Sequence, residues 1–210
     1  QRDFAPISMI CAFPLIVVVD PKLGINSMKE LVDYAKKNPG KAKYASSVGV
    51  FQVTTELFKQ KNGANFQLIP YKGSGDSIKA VISGEVTMTI IDPAPASGPI
   101  KAGTVKALAV TTEKRHPSWP DVPTMAEAGI PDMVVPVWTA FFAPAGTPQA
   151  IIARWQKEVA RVVHTPEVRE RFATMGLEPV GGTPEELAKA VARDLERYKA
   201  AAKAANIKNN

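Results

Sequence analysis

Residues 43–75 read KYASSVGVFQVTTELFKQKNGANFQLIPYKGSG, and this stretch decides the fold class. Lys43–Ser46 reads as a short strand that runs into a Ser/Gly/Val loop. Thr54–Lys61 has helical spacing, and Gly63 follows its end. Phe66–Pro70 reads as a second strand. Lys72-Gly73-Ser74-Gly75 then leads into a helix over Ser74–Ser83 that stops at Gly84. Strand and helix alternate through short connections, the pattern of a sheet covered by helices on both faces.

The alternation extends outward on both sides. Upstream, Phe13–Asp20 is rich in β-branched residues and reads as a buried strand. Ser27-Met28-Lys29-Glu30 is a capping box, Leu31, Val32 and Ala35 continue one helical face, and Asn38-Pro39-Gly40 ends that helix. Downstream, Val86–Ile91 is a strand, Ala94–Ala102 a short helix closed by Gly103, and Val105–Thr111 a further strand. Residues 12–112 therefore read as one α/β unit with a parallel or mixed sheet.

The character changes after Thr112. Residues 113–136 are rich in proline (Pro117, Pro120, Pro123, Pro131, Pro136) and read as an irregular crossing with one short helix at about Thr124–Ala128. Val137–Ala143 reads as a strand. Three helices follow, announced by Thr147-Pro148, Thr165-Pro166 and Thr183-Pro184, each a Thr N-cap with proline at the first helical position. Thr183 with Glu186 completes a capping box. Ile151, Ile152, Trp155, Val159, Val162 and Val163 share one face of the first, and Leu187, Val191, Leu195 and Tyr198 share one stripe of the third. One strand buries three amphipathic helices poorly, so residues 137–205 need a sheet that this segment does not supply.

Composition narrows the function classes. The formal net charge of +6 is uneven: residues 1–112 carry 13 basic and 8 acidic side chains, whereas residues 113–210 carry 13 and 12. A basic first half suits an anionic partner, although solubility accounts for such a charge equally well. Nucleic acid is not indicated, because the lysines are scattered, no basic run of five occurs and no arginine–aromatic stacking pattern accompanies them. Cys11 is the only cysteine, which excludes an internal disulfide framework and a Cys-rich metal site; it reads as a small buried hydrophobe. The longest apolar run, Met9 to Val19, is broken by Pro14 and too short to span a bilayer.

Signatures of catalysis are missing. His116 lies in the Pro-rich crossing and His164 at a helix end, and neither has metal-ligand spacing to a second ligand. There is no Gly-x-Ser-x-Gly elbow, Walker loop or Gly-x-Gly-x-x-Gly, and Tyr71-Lys72-Gly73-Ser74-Gly75 lacks phosphate-loop spacing. No metal or cofactor is expected. Anion-binding geometry is better supplied. Ser46-Ser47-Val48-Gly49, Lys72-Gly73-Ser74-Gly75 and Asp92-Pro93-Ala94 each join a strand end to a helix start. Free backbone N–H groups at such starts suit a carboxylate, and serine hydroxyls add donors. Ordinary turn and cap chemistry explains any one corner alone; the agreement of three favours a site.

A set of motifs in fixed order adds a resemblance. Asp3-Phe4-Ala5-Pro6-Ile7-Ser8, Ile69-Pro70-Tyr71-Lys72-Gly73-Ser74, Lys106-Ala107-Leu108-Ala109-Val110-Thr111-Thr112, Asp121-Val122-Pro123-Thr124-Met125-Ala126-Glu127-Ala128-Gly129 and Ala143-Pro144-Ala145-Gly146-Thr147-Pro148 follow one another. Thr165-Pro166-Glu167-Val168-Arg169 and Leu177-Glu178-Pro179-Val180-Gly181 continue the series. The chain resembles the substrate-binding proteins of tripartite tricarboxylate transporters, the Bug family, over essentially its whole length. The resemblance implies a type II periplasmic binding protein fold, in which two α/β lobes close on a ligand in the cleft between them. It implies a periplasmic location, a small carboxylate ligand, and two integral membrane transporter subunits as partners, with no enzymatic activity. It also implies that the opening part of the first lobe lies outside this chain. Residues 1–112 would then be mainly the second, ligand-binding lobe, 113–136 a crossover, and 137–210 the C-terminal part of the first lobe. A chain without half its cleft would be open to self-association. An effector-binding regulatory domain of the same fold is the alternative, and an enzyme a weaker one.

On this resemblance the ligand-binding candidates are Ser46, Ser47, Gly49, Phe51, Gln52, Tyr71, Lys72, Gly73, Ser74, Asp92 and Trp138. Ser46, Ser47, Gly49, Lys72, Gly73 and Ser74 would hold the carboxylate, and Asp92 would orient a loop or a bridging water. Trp138 would lie beside the ligand, or else serve hinge or core packing. The sequence departs from the family in two places. Members usually carry a Ser-Ser-Gly-x-Gly-Ser-like run followed by His, where this chain has Ser46-Ser47-Val48-Gly49-Val50-Phe51-Gln52; and Pro93 stands where members often have Asn. Val50 and Phe51 make that wall more apolar, which points to a ligand with an apolar or aromatic body and one carboxylate.

Overall fold

The structure is a computed structural model and describes residues 3–47 and 49–204; Val48, named above in the first corner, lies outside the described residues. The described residues form two compact units, one of 14–136 with 200–204, the other of 3–13 with 137–199.

The larger unit is built on a five-stranded sheet. Its strands are β2 (Ile16–Val19), β3 (Lys43–Ser46), β4 (Gln67–Pro70), β5 (Met88–Ile91) and β6 (Lys106–Val110), in the order β4-β3-β5-β2-β6. β3 runs parallel to β4 and β5, whereas β2 runs antiparallel to β5 and β6, so the sheet is mixed. Ile16, Val17, Val18 and Val19 are fully buried, as a strand covered on both faces requires. The covering helices are α1 (Met28–Lys37), α2 (Val50–Asn62), α3 (Ser74–Ile82) and α4 (Pro93–Lys101). Ser27 caps α1 by accepting from the Glu30 N–H at 3.1 Å, while the Glu30 carboxylate reaches back to the Asn26 N–H at 2.7 Å. Met28, Leu31, Val32 and Ala35 form its buried stripe.

One polar group fixes α2 against the sheet. The Tyr44 side chain is fully buried in β3 and donates its hydroxyl to Glu56 of α2 at 2.5 Å. Lys59 donates to the same carboxylate oxygen at 2.8 Å and stands over the Tyr44 ring, 5.3 Å from its centroid. Burial, followed by the Glu56 carboxylate, raises the Tyr44 phenol well above its ordinary range. We expect Tyr44→Phe to cost about 1–3 kcal/mol in urea unfolding at pH 7, the scale of a hydrogen bond to a charged acceptor. A phenol raised in the folded state contributes stability that is complete below the unfolded value of about 10 and is lost as pH rises beyond it. The alkaline loss of stability should therefore be shallower in Tyr44→Phe than in the parent protein.

Residues 113–136 belong to this unit. The Pro-rich segment folds back along β6: Val110 donates to the Pro123 carbonyl at 2.9 Å, Met125 to the Val110 carbonyl at 2.9 Å, and Trp119, Met125, Ile130, Met133 and Val135 are buried. The expected helix at Thr124–Ala128 is a single turn. Thr124 and Glu127 cap each other reciprocally, at 3.1 and 2.8 Å, and Gly129 with positive φ ends it.

The smaller unit has a three-stranded antiparallel sheet, order β7-β1-β8, of β1 (Phe4–Phe13), β7 (Val137–Pro144) and β8 (Glu178–Pro179), with helices α5 (Gln149–Val163), α6 (Pro166–Met175) and α7 (Pro184–Ala204). The sheet that residues 137–205 needed comes in part from β1, which the sequence reading had kept with residues 1–112. Its ladder with β7 shifts register between Pro6 and Ser8 and again between Met9 and Cys11. These irregularities break the alternation by which a strand is recognised. Cys11 is buried here, as its isolation in the sequence suggested. The three Thr-Pro starts differ in detail. Thr183 and Glu186 form the capping box, at 3.2 and 2.8 Å. Thr165 caps α6 through its backbone only, and its hydroxyl donates to Val162. At α5 the cap is Pro148 itself, because the Thr147 hydroxyl turns back to the Pro144 carbonyl at 2.8 Å.

Candidate functional site

β4, β3 and β5 are neighbours and run in the same direction, so their C-terminal ends lie side by side on one edge of the larger unit's sheet. Each end turns directly into a helix: β3 through Ser47 and Gly49 into α2, β4 through Tyr71, Lys72 and Gly73 into α3, and β5 through Asp92 into α4. The Tyr71 N–H donates to the Ser46 carbonyl at 3.0 Å, which ties the first two corners together. This edge gathers Ser46, Ser47, Gly49, Phe51, Gln52, Tyr71, Lys72, Gly73, Ser74 and Asp92. Trp138 belongs to the smaller unit, where its indole N–H donates to the buried Asp194 carboxylate at 2.7 Å.

None of these three helices receives a hydrogen bond from a capping side chain. The first N–H groups of a helix have no carbonyl within it, and they carry the positive end of its dipole. At α2 these are the amides of Val50, Phe51 and Gln52, since the intrahelical series begins with Val53 donating to Gly49 at 3.1 Å. At α3 they are the amides of Ser74 and Gly75, since Asp76 and Ser77 already bond the Gly73 carbonyl at 3.2 and 3.1 Å. The corner at α4 is poorer in donors. Pro93 and Pro95 have no N–H, so Ala94 alone offers one in its first turn. Asp92 sets a half-buried carboxylate at the same corner, where the helix dipole favours negative charge.

Side chains separate further. Ser46 is buried and spends its hydroxyl on the Ser47 carbonyl at 2.7 Å, so its side chain is already engaged. Tyr71 packs against the cluster of Ile78, Val81, Val86 and Trp119; its hydroxyl is buried without a partner at bonding distance, and burial with the nearby Glu85 raises it. It is part of the wall that supports α3. Lys72 is exposed, and Phe51, Gln52, Gly73 and Ser74 are half-buried. A β-carbon built on Gly49 or Gly73 meets no atom within 4 Å, so space stands open in front of both corners. The sequence reading anticipated free helix-start amides at these corners, including that of Gly75, but not the amide of Val50 or the donor poverty of α4. The prolines that cause the last are visible in the sequence as Pro93-Ala94-Pro95.

Two mostly apolar cavities lie apart from these corners among the described residues. One of about 530 Å³ in the smaller unit is lined by Phe4, Pro6, Phe142, Ala188 and Val191, and one of about 680 Å³ along α5 by Ile151, Arg154, Trp155 and their neighbours. Their linings are mostly hydrocarbon and offer an anion far fewer donors than the strand-end corners do.

The profile of the family described as "Tripartite tricarboxylate transporter family receptor" matches residues 1–207. The chain belongs to this family. It is 34% identical over 199 residues to Protein BugT of Bordetella pertussis, an alignment covering 94% of this chain and 61% of BugT. The chain thus spans under two thirds of this curated relative's length. Among solved structures it matches the R. palustris protein Rpa4515 with adipate, at a TM-score of 0.93 and 32% identity, over 98% of this chain and 69% of that one. It matches the periplasmic binding protein BugD at a TM-score of 0.92 and 28% identity, over 99% and 71%. The fold is that of the periplasmic binding proteins, as the sequence implied.

Proposed function

We propose that this receptor works in the periplasm, holding one small carboxylate with an apolar or aromatic body and presenting it to the two integral membrane subunits of a tripartite transporter, without chemical turnover. The observation that carries this is the alignment of three strand-to-helix corners on one sheet edge, with five first-turn amides at α2 and α3 left uncapped by side chains. Amides that approach a carboxylate contribute about 1.5–3 kcal/mol each when the acceptor is charged. In this reading the carboxylate sits between α2 and α3, within reach of the exposed Lys72. Ser46 acts by shaping the β3 corner, Ser47 and Ser74 add polar atoms beside it, and Tyr71 buttresses α3.

The α4 corner selects for the rest of the ligand. With the amides of residues 93 and 95 absent and the Asp92 carboxylate present, it repels a further negative charge and accepts hydrocarbon. Phe51 in the first turn of α2 extends the apolar wall, and Gln52 offers a side-chain amide beside it. The relative Rpa4515 was solved with adipate, whose methylene chain is an apolar body of this kind although it carries a second carboxylate.

Isothermal titration calorimetry of the purified protein with benzoate, adipate and citrate tests both levels. Benzoate should bind at least tenfold more tightly than citrate, with adipate, apolar in body but doubly charged, between them. Tight binding of citrate alone would remove the selectivity argument, and heat from none of a panel of carboxylates would remove the receptor reading itself.

A further inference from the structure

Thr111 closes β6 and is completely buried, and every polar group it owns is engaged. Its N–H donates to the Leu15 carbonyl at 3.0 Å, and its carbonyl accepts from the Val135 N–H at 2.9 Å. Its hydroxyl accepts from the Leu15 N–H at 2.9 Å and donates to the Val135 carbonyl at 3.1 Å. Both backbone groups of Leu15 and both of Val135 therefore end on one residue. Leu15 lies one residue inside the point where the chain enters the larger unit, and Val135 one residue inside the point where it leaves. The residues between clasp and boundary are Pro14 and Pro136. Immediately beyond them, Phe13 and Val137 pair opposite each other in the ladder of β1 and β7. Each of the two segments is thus fixed on both sides of a single proline.

We infer that Thr111 is a positioning residue that clasps the two chain crossings into one hinge, with Pro14 and Pro136 as its paired pivots. Neither proline can donate a hydrogen bond that would continue either sheet across the boundary. The clasp needs a hydroxyl that donates and accepts at once, with a β-branched body to fill a buried site. Valine keeps the shape and loses the hydroxyl, stranding the Leu15 N–H and the Val135 carbonyl; serine keeps the hydroxyl.

The test is hydrogen–deuterium exchange joined to spin-label distance measurement. Labels are placed at Lys79→Cys in the larger unit and Lys157→Cys in the smaller, both exposed sites. In Thr111→Val, exchange at the Leu15 amide should rise by about tenfold or more while the amides of β5 keep their protection. The label–label distance distribution should broaden, and Thr111→Ser should restore both readings. If β2, β5 and β6 lose protection together with Leu15, Thr111 is an ordinary core residue and the inference falls. An unchanged distance distribution overturns it as well. Should Thr111→Val fail to fold, Pro136→Gly gives the second route, since it loosens a pivot and leaves the clasp intact. Broadening with the Leu15 amide still protected supports the hinge, and no broadening overturns it.

Discussion

Gly181→Ala should lower the unfolding stability of the smaller unit by about 2–5 kcal/mol. Two independent costs combine. Gly181 has φ of +64°, a left-handed conformation that costs a residue with a side chain about 1–2 kcal/mol. The added carbon would also sit 2.9 Å from the Ala160 Cα and 2.9 Å from the Val163 Cγ2, both on α5. The first of these atoms is backbone, so relief requires moving the helix or the strand segment. That segment is held in place by the Gly181 N–H donating to the Met9 carbonyl at 2.9 Å and the Val180 N–H donating to Ile10 at 3.0 Å. Overpacking of this kind typically costs about 1–3 kcal/mol beyond the backbone strain. Gly146→Ala is the control. Gly146 has φ of +83° in the same unit, but its added carbon meets nothing within 4 Å, so it should cost only the conformational part, about 1–2 kcal/mol. Denaturant midpoints at constant slope measure the difference. Equal losses in the two variants would mean that α5 does not pack on residues 180–182 as described.

The same closeness explains what could and could not be read from the chain. β2 was legible because a central strand, buried on both faces, leaves an uninterrupted β-branched run at Ile16–Val19. α1 and α7 were legible because their caps lie in consecutive residues. β1 was hidden by its own irregular pairing at Pro6 and Ser8, and β8 by its length of two residues, since a partner strand rather than local pattern makes it a strand. The prolines of 113–136 were correctly seen as breaking regular structure. Local pattern does not reveal that Trp119, Met125 and Val135 return to the core, because burial without periodicity comes from tertiary packing alone. At the candidate site the corners were legible as Ser and Gly between apolar runs. The shared edge follows from strand direction, which the alternation of strand and helix implies. The engagement of Ser46 by its neighbour, the inward packing of Tyr71 and the bond from Trp138 to Asp194 are contacts of individual side chains, and no spacing rule foretells them.

Gly73→Val separates folding from binding at the candidate site: it should weaken carboxylate binding on the order of 100-fold or more while leaving the protein as stable as before. Gly73 precedes α3 with φ of −169° and ψ of 173°, an extended conformation open to any residue. Apart from its chain neighbours, a β-carbon there meets no protein atom within 4 Å, so the branch point of the new side chain finds open space. Replacing glycine at a compatible position stabilises by about 0.4–1 kcal/mol through the unfolded chain, so the melting temperature should hold or rise slightly. The ligand feels the opposite effect. If the carboxylate is seated at this corner, added branches that crowd it off the amides of Ser74 and Gly75 remove two amide bonds to a charged acceptor, at about 1.5–3 kcal/mol each, and weaken binding on the order of 100-fold or more. Gly49→Val would confuse the two effects, because Gly49 has φ of +83° and any side chain there strains the backbone. Calorimetric titration with benzoate, beside thermal unfolding of the same samples, gives both numbers. Unaltered affinity at unaltered stability would exclude the α3 corner as the carboxylate's seat. A fall in stability matching the fall in affinity would mean that Gly73 serves the fold, and that the open space before it has another cause.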